Sequence, residues 1–212
     1  MNVFDFVPHS GQTGDFSHLV AGYLTARHIV HGTTLMSHPV LSYLYYISQV
    51  GITVSPLSES SVHILCYDDD PFPAFFRRGL NVTLSTDSPL LQHRTEEPLI
   101  EEYALAFQAW KLSLVDMYEI ARNSVVNSSF TTQEKEAWIG KKFWSAHLNK
   151  KGNPQKKNSS PPIFFTSLID NSFFVVIVIG FAKHSSVPSY RLQFRAETLQ
   201  NERNFLELKS NF

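Results

Sequence analysis

Short apolar stretches rich in β-branched residues recur in the N-terminal part of the chain, and each runs into polar residues. They occupy residues 2–7, 29–30, 52–54 and 81–85. Their length and composition are typical of buried β-strands. The last stretch continues into Asp87 and is stopped by Pro89, so we expect an acidic side chain at the end of a strand.

Helical periodicity separates these predicted strands. The first helix repeats its apolar residues about one turn apart, at Phe16, Leu19, Val20 and Tyr23. The second is expected to begin near Pro39 and to stop at Gly51. A third is predicted between Asp70, as its N-cap, and Gly79, as its end. Strand and helix therefore alternate through this part of the sequence.

Such alternation predicts an α/β fold with a parallel sheet, and we interpret it as half of a (β/α)₈ TIM barrel. A flavodoxin-like open sheet is the alternative. Strand-end residues of a barrel gather at one mouth, so the polar residues that follow the four strands should converge. They are His9, Gln12, His31, Ser58, Asp87 and Ser88. Histidine and aspartate are common ligands of first-row metals, so His9 and Asp87 indicate a metal site.

The residues after Asp87 read as helical scaffold. We expect Thr95 to cap one helix, Ser113 and Asp116 to form a capping box, and Thr131 to begin a helix that ends at Gly140. Four acidic residues near the first of these helices are interpreted as a solvated helix face. They are Glu96, Glu97, Glu101 and Glu102.

Composition narrows the classes of function. A chain of 212 residues with a formal net charge of −1 has no excess of positive charge for binding nucleic acid. Its single cysteine, Cys66, cannot form an internal disulfide, and we find no secretory signal at the N-terminus. We therefore expect a cytosolic protein that does not bind nucleic acid.

The C-terminal third changes character. Residues 150–162 resemble a linker, and an apolar run follows at residues 163–182. Asp170 and Asn171 interrupt the run, and its uninterrupted apolar part is shorter than the ~20 residues that a membrane span needs, so we expect no membrane association. We divide the chain into a catalytic portion (1–150), a linker with an insertion (151–183) and a tail (184–212). The insertion is expected to lack packing partners.

Several blocks of sequence resemble AMP deaminase. They include His31-Gly32, Ser55-Pro56-Leu57-Ser58, Pro71-Phe72-Pro73, Arg78-Gly79-Leu80-Asn81-Val82, Leu84-Ser85-Thr86-Asp87 and Ile120-Ala121-Arg122-Asn123-Ser124. The resemblance runs without gaps over long blocks from about Pro8 to Gly140. It implies a zinc-dependent (β/α)₈ barrel that converts AMP to IMP and ammonia. This chain would hold strands five to eight of the barrel and additional C-terminal helices.

The resemblance also implies roles for single residues. His9 falls on a zinc-binding histidine and Asp87 on the zinc-binding carboxylate, while His31 falls on the histidine that orients the attacking water. Gln12 stands where the family has its proton-carrying glutamate, and Ser88 stands where the family has a second aspartate that contacts the purine. The family's two further zinc ligands lie in a His-x-His motif, which this sequence lacks.

We therefore interpret the chain as a truncated and degenerate copy of an AMP deaminase that is inactive alone. The resemblance implies AMP as substrate, one zinc ion as cofactor and a homo-oligomer for the complete protein. An alternative is a non-catalytic paralogue that pairs with an intact subunit. A third interpretation is a metal hydrolase of the same superfamily with another substrate.

Overall fold

A four-stranded parallel sheet organises the structure, a computed structural model that describes residues 5–61, 68–140 and 187–210. The strands are β1 (His9–Ser10), β2 (His28–His31), β3 (Gly51–Val54) and β4 (Val82–Leu84). They lie side by side in the order β1, β2, β3, β4, and every neighbouring pair is parallel. Flavodoxin-like sheets reverse their strand order at a switch point. These four strands show no reversal, so their order does not support the flavodoxin-like alternative.

Helices follow each strand, as the periodicity predicts. In the described ranges they are α1 (Ser17–Thr25), α2 (Pro39–Ser48), α3 (Pro56–Ser61), α4 (Phe72–Arg78), α5 (Pro89–Gln92), α6 (Pro98–Trp110), α7 (Leu114–Asn127), α8 (Thr132–Ile139) and α9 (Val187–Ser210), with a 3₁₀ helix at Thr33–Ser37. None of these helices has the length and apolar character needed to cross a membrane. The described part is thus an α/β structure.

Local signals set several helix ends. Gly79 ends α4 in a left-handed conformation with φ of 86°, which glycine adopts without steric cost. The N-cap of α4 is Pro71 and not Asp70 as predicted, although the Asp70 carboxylate accepts a hydrogen bond from the Phe72 backbone N–H at 2.8 Å and so satisfies one free donor at the start of the helix. The capping boxes at Ser113 and Thr131 are also present.

The core lies where helices cover the sheet. Ile29 and Ile52 of the central strands are fully buried, as are Leu19 of α1 and Tyr45 of α2. Behind them, Phe72 of α4 stacks on Trp110 of α6, with the ring centres 4.6 Å apart. Burial of these large apolar side chains provides the main stabilisation of the sheet-helix layers.

Ion pairs hold helix α9 against this layer. Arg191 pairs with Asp116 of α7 at 2.7 Å, and Arg195 pairs with Glu119 on the same helix. Arg203 donates to the Ile47 carbonyl at 2.9 Å. The helix therefore packs on α2 and α7 through its polar side chains as well as through buried Leu199.

The first strand differs from its prediction. Pairing with β2 begins only at His9, and described residues 5–8 form no strand. Pro8 explains this, because its carbonyl accepts from Val30 but it has no N–H with which to continue the ladder. In the described part of the chain the first edge of the sheet is therefore β1 and not residues 5–7, while β4 is the second edge as expected.

Two helix boundaries were also predicted wrongly. Helix α2 ends at Ser48, because Gln49 adopts the left-handed conformation (φ 53°), and Gly51 is already the first residue of β3. Helix α6 begins at Pro98, and Thr95 does not cap it but donates to the Glu101 side chain at 3.3 Å. The expectation for residues 151–183 falls outside the described ranges.

Candidate functional site

Three side chains from different strand ends converge at the carboxyl edge of the sheet. They are His9 of β1, His31 of β2 and Asp87 after β4, whose potential ligand atoms all lie within 4.8 Å of one another. His9 and Asp87 are exposed, whereas His31 is buried. The sequence predicted this convergence, although His9 lies within its strand and not after it.

The backbone at His31 adopts an uncommon conformation. His31 has φ of 80° and the following Gly32 has φ of 70°, so two successive residues are left-handed at the end of β2. For a residue with a β-carbon this conformation costs about 1–2 kcal/mol. Such strain is often found where a side chain must be aimed at a functional site. Here it coincides with the turn that places the His31 ring beside His9.

Each nitrogen of the His31 ring has a partner. Nε2 lies 2.9 Å from His9 Nδ1, and Nδ1 lies 3.0 Å from Glu59 Oε1. A carboxylate accepts hydrogen bonds, so the Glu59 contact favours the tautomer of neutral His31 in which Nδ1 carries the proton. His9 Nδ1–H then donates to His31 Nε2. In that arrangement His9 Nε2 is the nitrogen with a free lone pair, as a metal ligand requires.

Glu59 is a site residue that sequence reasoning missed. It belongs to α3 and is only 2% exposed, and its Oε2 atom has no hydrogen-bond partner in the described residues. The hydroxyl oxygens of Ser55 and Ser58 are also buried without partners there. Unpartnered buried polar atoms are uncommon in proteins and indicate a place where a polar group or water binds. The available signal was a charged residue directly after the predicted site residue Ser58.

A second buried carboxylate belongs to Glu102, which corrects the interpretation of the acidic cluster as a solvated face. Glu102 on α6 is fully buried. Its Oε2 accepts from the Leu57 N–H of α3 at 2.9 Å, and its Oε1 lies 3.2 Å from His93 Nε2. Burial raises the pKa of Glu102 to about 7, although these hydrogen bonds act in the opposite direction. Glu102 therefore connects α6 to the helix that carries Glu59.

Asp70 is a third buried acid. Burial is the main cause that raises its pKa to about 7, and repulsion from Glu59 and Glu102 acts in the same direction. Glu59 and Glu102 thus lie close enough to Asp70 to raise its pKa. Clusters of perturbed ionisable groups are found preferentially at functional sites, so this one supports the location of the site.

The other predicted site residues lie around this centre. Gln12 is half-buried in the turn after β1, and Ser88 is half-buried beside Asp87 at the start of α5. The Ser88 hydroxyl does not cap that helix, although its backbone carbonyl accepts from Leu91 and Gln92. The roles expected for Gln12 and Ser88 remain predictions.

The ligand atoms at the centre are of the types that zinc binds in proteins. Zinc binds histidine nitrogen and carboxylate oxygen, and it requires three or four protein ligands to remain bound. His9 and Asp87 supply one of each, with His31 alongside. Among residues 5–61, 68–140 and 187–210, His9, His31 and Asp87 form the one cluster of three or more potential metal ligands. Because only His9 and Asp87 are expected to bind the ion directly, tight binding would require further ligands.

A cavity of about 680 Å³ lies at the other end of the sheet. His28, Val50 and Asn81, at or just before the amino ends of three strands, are among its lining residues. None of His9, His31 or Asp87 lines it. The candidate centre therefore lies outside this cavity, at the carboxyl ends of the strands.

Comparisons with known proteins identify the family. The sequence profile described as AMP deaminase matches residues 1–166. An AMP deaminase of Arabidopsis thaliana is 50% identical over 163 residues, which are 77% of this chain and 19% of the relative. AMP deaminase 3 of Homo sapiens is 40% identical over 206 residues, or 97% of this chain and 23% of the relative. The chain thus spans about one fifth of the length of these relatives.

Solved structures share the fold at lower identity. An adenine deaminase from Arthrobacter aurescens superposes with a TM-score of 0.57 and 23% identity, covering 61% of this chain and 39% of that one. Arabidopsis ADAL, solved as a complex with GMP, gives a TM-score of 0.55 and 16% identity, over 61% of this chain and 38% of that chain. An amidohydrolase from Burkhoderia ambifaria, solved with bound Zn, gives a TM-score of 0.55 and 21% identity, over 62% of this chain and 37% of that chain. These deaminases and amidohydrolases have the TIM-barrel type of fold.

Proposed function

Because the chain belongs to the AMP deaminase family, a family of hydrolases, we propose that it forms part of a site that converts AMP and water to IMP and ammonia. The observation that carries this proposal is the convergence of His9, His31 and Asp87 at the carboxyl ends of parallel strands. Barrel enzymes place their chemistry at this end of the sheet.

We further propose that the four strands are strands five to eight of a (β/α)₈ barrel. Their sequential parallel order and the helices between them support this, as does the coverage of less than half of each similar barrel. The strands β1 and β4 are then the two edges at which the missing half of the barrel would pair. Unpaired edges of this kind favour association with another chain.

His9 and Asp87 are the residues that would hold zinc in this proposal. A bound zinc ion makes a water molecule acidic enough to attack the substrate at neutral pH. His31, whose Nδ1 is directed to Glu59, would orient that water. Ser88, which follows Asp87 in the chain, would hydrogen-bond the purine.

The same residues explain why the isolated chain should be inactive. An amide such as that of Gln12 does not titrate, so it cannot act as the general acid and base that protonates a purine nitrogen. The sequence also lacks the His-x-His pair that provides two zinc ligands in the family. We propose that zinc binds this chain weakly, and that the complete protein is a cytosolic homo-oligomer.

A repair series tests this function. The missing N-terminal portion is supplied from an intact homologue, and conversion of AMP to IMP is measured with zinc present. On that background Gln12→Glu should raise the rate by about 10²–10⁴, because it restores a proton carrier. Ser88→Asp should raise it further, but not independently, since both groups act on the same water and purine. An enzyme-like rate from the unrepaired chain alone would contradict the proposal.

The non-catalytic paralogue is the second candidate, and Gln12 is the residue that favours it. A paralogue that regulates an intact subunit needs the fold and the substrate pocket but not the proton carrier. A completed protein that keeps Gln12 and binds AMP tightly without converting it would support this alternative. Measurable conversion of AMP by the completed protein that keeps Gln12, rising further after Gln12→Glu, would support the enzyme.

A further inference from the structure

The buried carboxylate of Glu59 is the nearest charged group behind His31. The two side chains are each 2% exposed, and 3.0 Å separates His31 Nδ1 from Glu59 Oε1. Hydrogen bonds to an ionised acceptor contribute about 1.5–3 kcal/mol, and the contribution depends on the acceptor being held in place. The orientation of Glu59 therefore matters for the ring that faces the candidate centre.

Helix α3 holds Glu59, and Glu102 holds helix α3. The helix has only six residues, so its own hydrogen bonds fix it weakly. Its first turn is anchored from across the fold, because Glu102 Oε2 accepts from the Leu57 N–H at 2.9 Å. This contact satisfies one of the free backbone donors at the start of the helix. Two residues further along the same helix is Glu59.

We propose that Glu59 is a positioning residue that fixes His31 in its Nδ1–H tautomer, and that Glu102 fixes Glu59 by anchoring α3. The contacts run without interruption from α6 through α3 to β2. With Nδ1 protonated, Nε2 is directed to His9 and to the candidate centre. The role of His31 in orienting water rests on the proposed function, whereas the effect of Glu59 and Glu102 on the His31 tautomer does not.

Long-range ¹H–¹⁵N spectra of the full 212-residue chain, free of metal, measure this directly, because the ring nitrogens of neutral tautomers have different shifts. In Glu59→Gln the charged acceptor is lost, and the ratio of Nδ1–H to Nε2–H tautomers of His31 should fall roughly tenfold. In Glu102→Met the anchor is lost and the buried volume is kept, so the ratio should fall in the same direction. Glu102→Gln retains an acceptor for Leu57 and should preserve the wild-type ratio.

Glu101 provides the matched control. It precedes Glu102 on α6 and also contacts His93, with Oε2 at 2.8 Å from Nδ1, but it does not reach α3. Glu101→Gln should leave the His31 signals unchanged. A shift equal to that of Glu102→Met would show that the effect passes through His93, and the proposal would be wrong.

An unchanged tautomer ratio in folded Glu59→Gln would also overturn the proposal. If Glu102→Met does not fold, Glu102→Asp serves instead, since it keeps the charge and withdraws the carboxylate by one methylene. Its His31 ratio should shift in the same direction by a smaller factor, and no shift would count against the role of Glu102. These spectra need no substrate or metal, so they stand whether or not the repaired protein deaminates AMP.

Discussion

The two ends of the sheet differ in whether their half-buried and buried polar groups have partners within the described chain. At the amino end, Asn81 and Asn127 form a reciprocal amide pair with hydrogen bonds of 2.8 and 3.0 Å, and Asn81 also donates to the Gln49 carbonyl. At the carboxyl end, Glu59 Oε2 and the hydroxyl of Ser58 are buried without partners in the described residues. One end satisfies its polar groups within the chain, and the other leaves some of them open.

This difference distinguishes polar groups that stabilise the fold from polar groups that are available to bind a ligand or water. A satisfied pair at the amino end fixes α7 against the start of β4 and adds stability. Open groups at the carboxyl end reduce stability unless something binds them. The strained φ of His31 belongs to the same end. We therefore expect substitutions at the carboxyl end to change chemistry more than stability, and substitutions at the amino end to do the reverse.

The largest expected effect is on the repaired, active protein. His31→Asn should lower the rate of AMP conversion by about 10²–10⁴, because the group that orients the water is removed. Asparagine tolerates the left-handed backbone of this position, but the hydrogen bond to buried Glu59 is lost, so the midpoint of thermal unfolding should also fall. Asn127→Ala is the control at the amino end and should leave the rate unchanged. Equal losses of rate in both variants would contradict the expectation that only the carboxyl end takes part in the chemistry.

The next effect is a pH dependence of stability that originates at the carboxyl end. The pKa of Asp70 is raised in the folded state to about 7, so between about pH 4 and about pH 7 the folded chain binds more protons than the unfolded chain. The free energy of unfolding should therefore fall as pH rises through this range, with a slope of up to about 1.4 kcal/mol per pH unit from this group. Glu102 contributes in the same direction, with His93 as its neighbour.

Urea unfolding of Asp70→Asn at several pH values measures this slope. The variant should be more stable than the wild type near pH 7 and should show a shallower decline. Glu134→Gln is the control, since the pKa of that exposed carboxyl is lowered and not raised. Glu134→Gln should keep the wild-type slope between about pH 5 and about pH 7. A wild-type slope in Asp70→Asn would show that Asp70 is not the source.

A smaller effect is expected at the amino end. Asn127→Ala removes both hydrogen bonds of the amide pair and should lower the free energy of unfolding by about 1–2 kcal/mol. The matched control is Gln193→Ala on α9, which breaks an exposed contact with Glu197 at 2.9 Å and should cost less than about 0.5 kcal/mol. Equal losses would show that the half-buried position of the pair does not strengthen its hydrogen bonds.

Sequence patterns predicted the parallel α/β alternation and brought His9, His31 and Asp87 together, because strand ends and turn residues are local signals. They did not predict Glu59 and Glu102 as buried groups. Acidic residues on a helix are usually solvated, and nothing local shows that α6 turns Glu102 toward α3. Pro8 in the sequence could have indicated the late start of β1. No local signal indicated that Gln49 would adopt the left-handed conformation that ends α2. Burial of charge depends on tertiary packing, which periodicity does not report.

The smallest predicted effect tests whether the open groups at the carboxyl end are truly open. Thr83→Val removes a buried hydroxyl that is paired with Thr53 at 2.8 Å, and it should lower the free energy of unfolding by about 1–2 kcal/mol. Ser58→Ala removes a buried hydroxyl that has no partner in the described residues, so it should leave stability unchanged or raise it by up to about 1 kcal/mol. Urea unfolding of the metal-free chain compares the two variants. A loss in Ser58→Ala as large as that in Thr83→Val would mean that this hydroxyl is satisfied in solution, and the carboxyl end would then be as closed as the rest of the sheet.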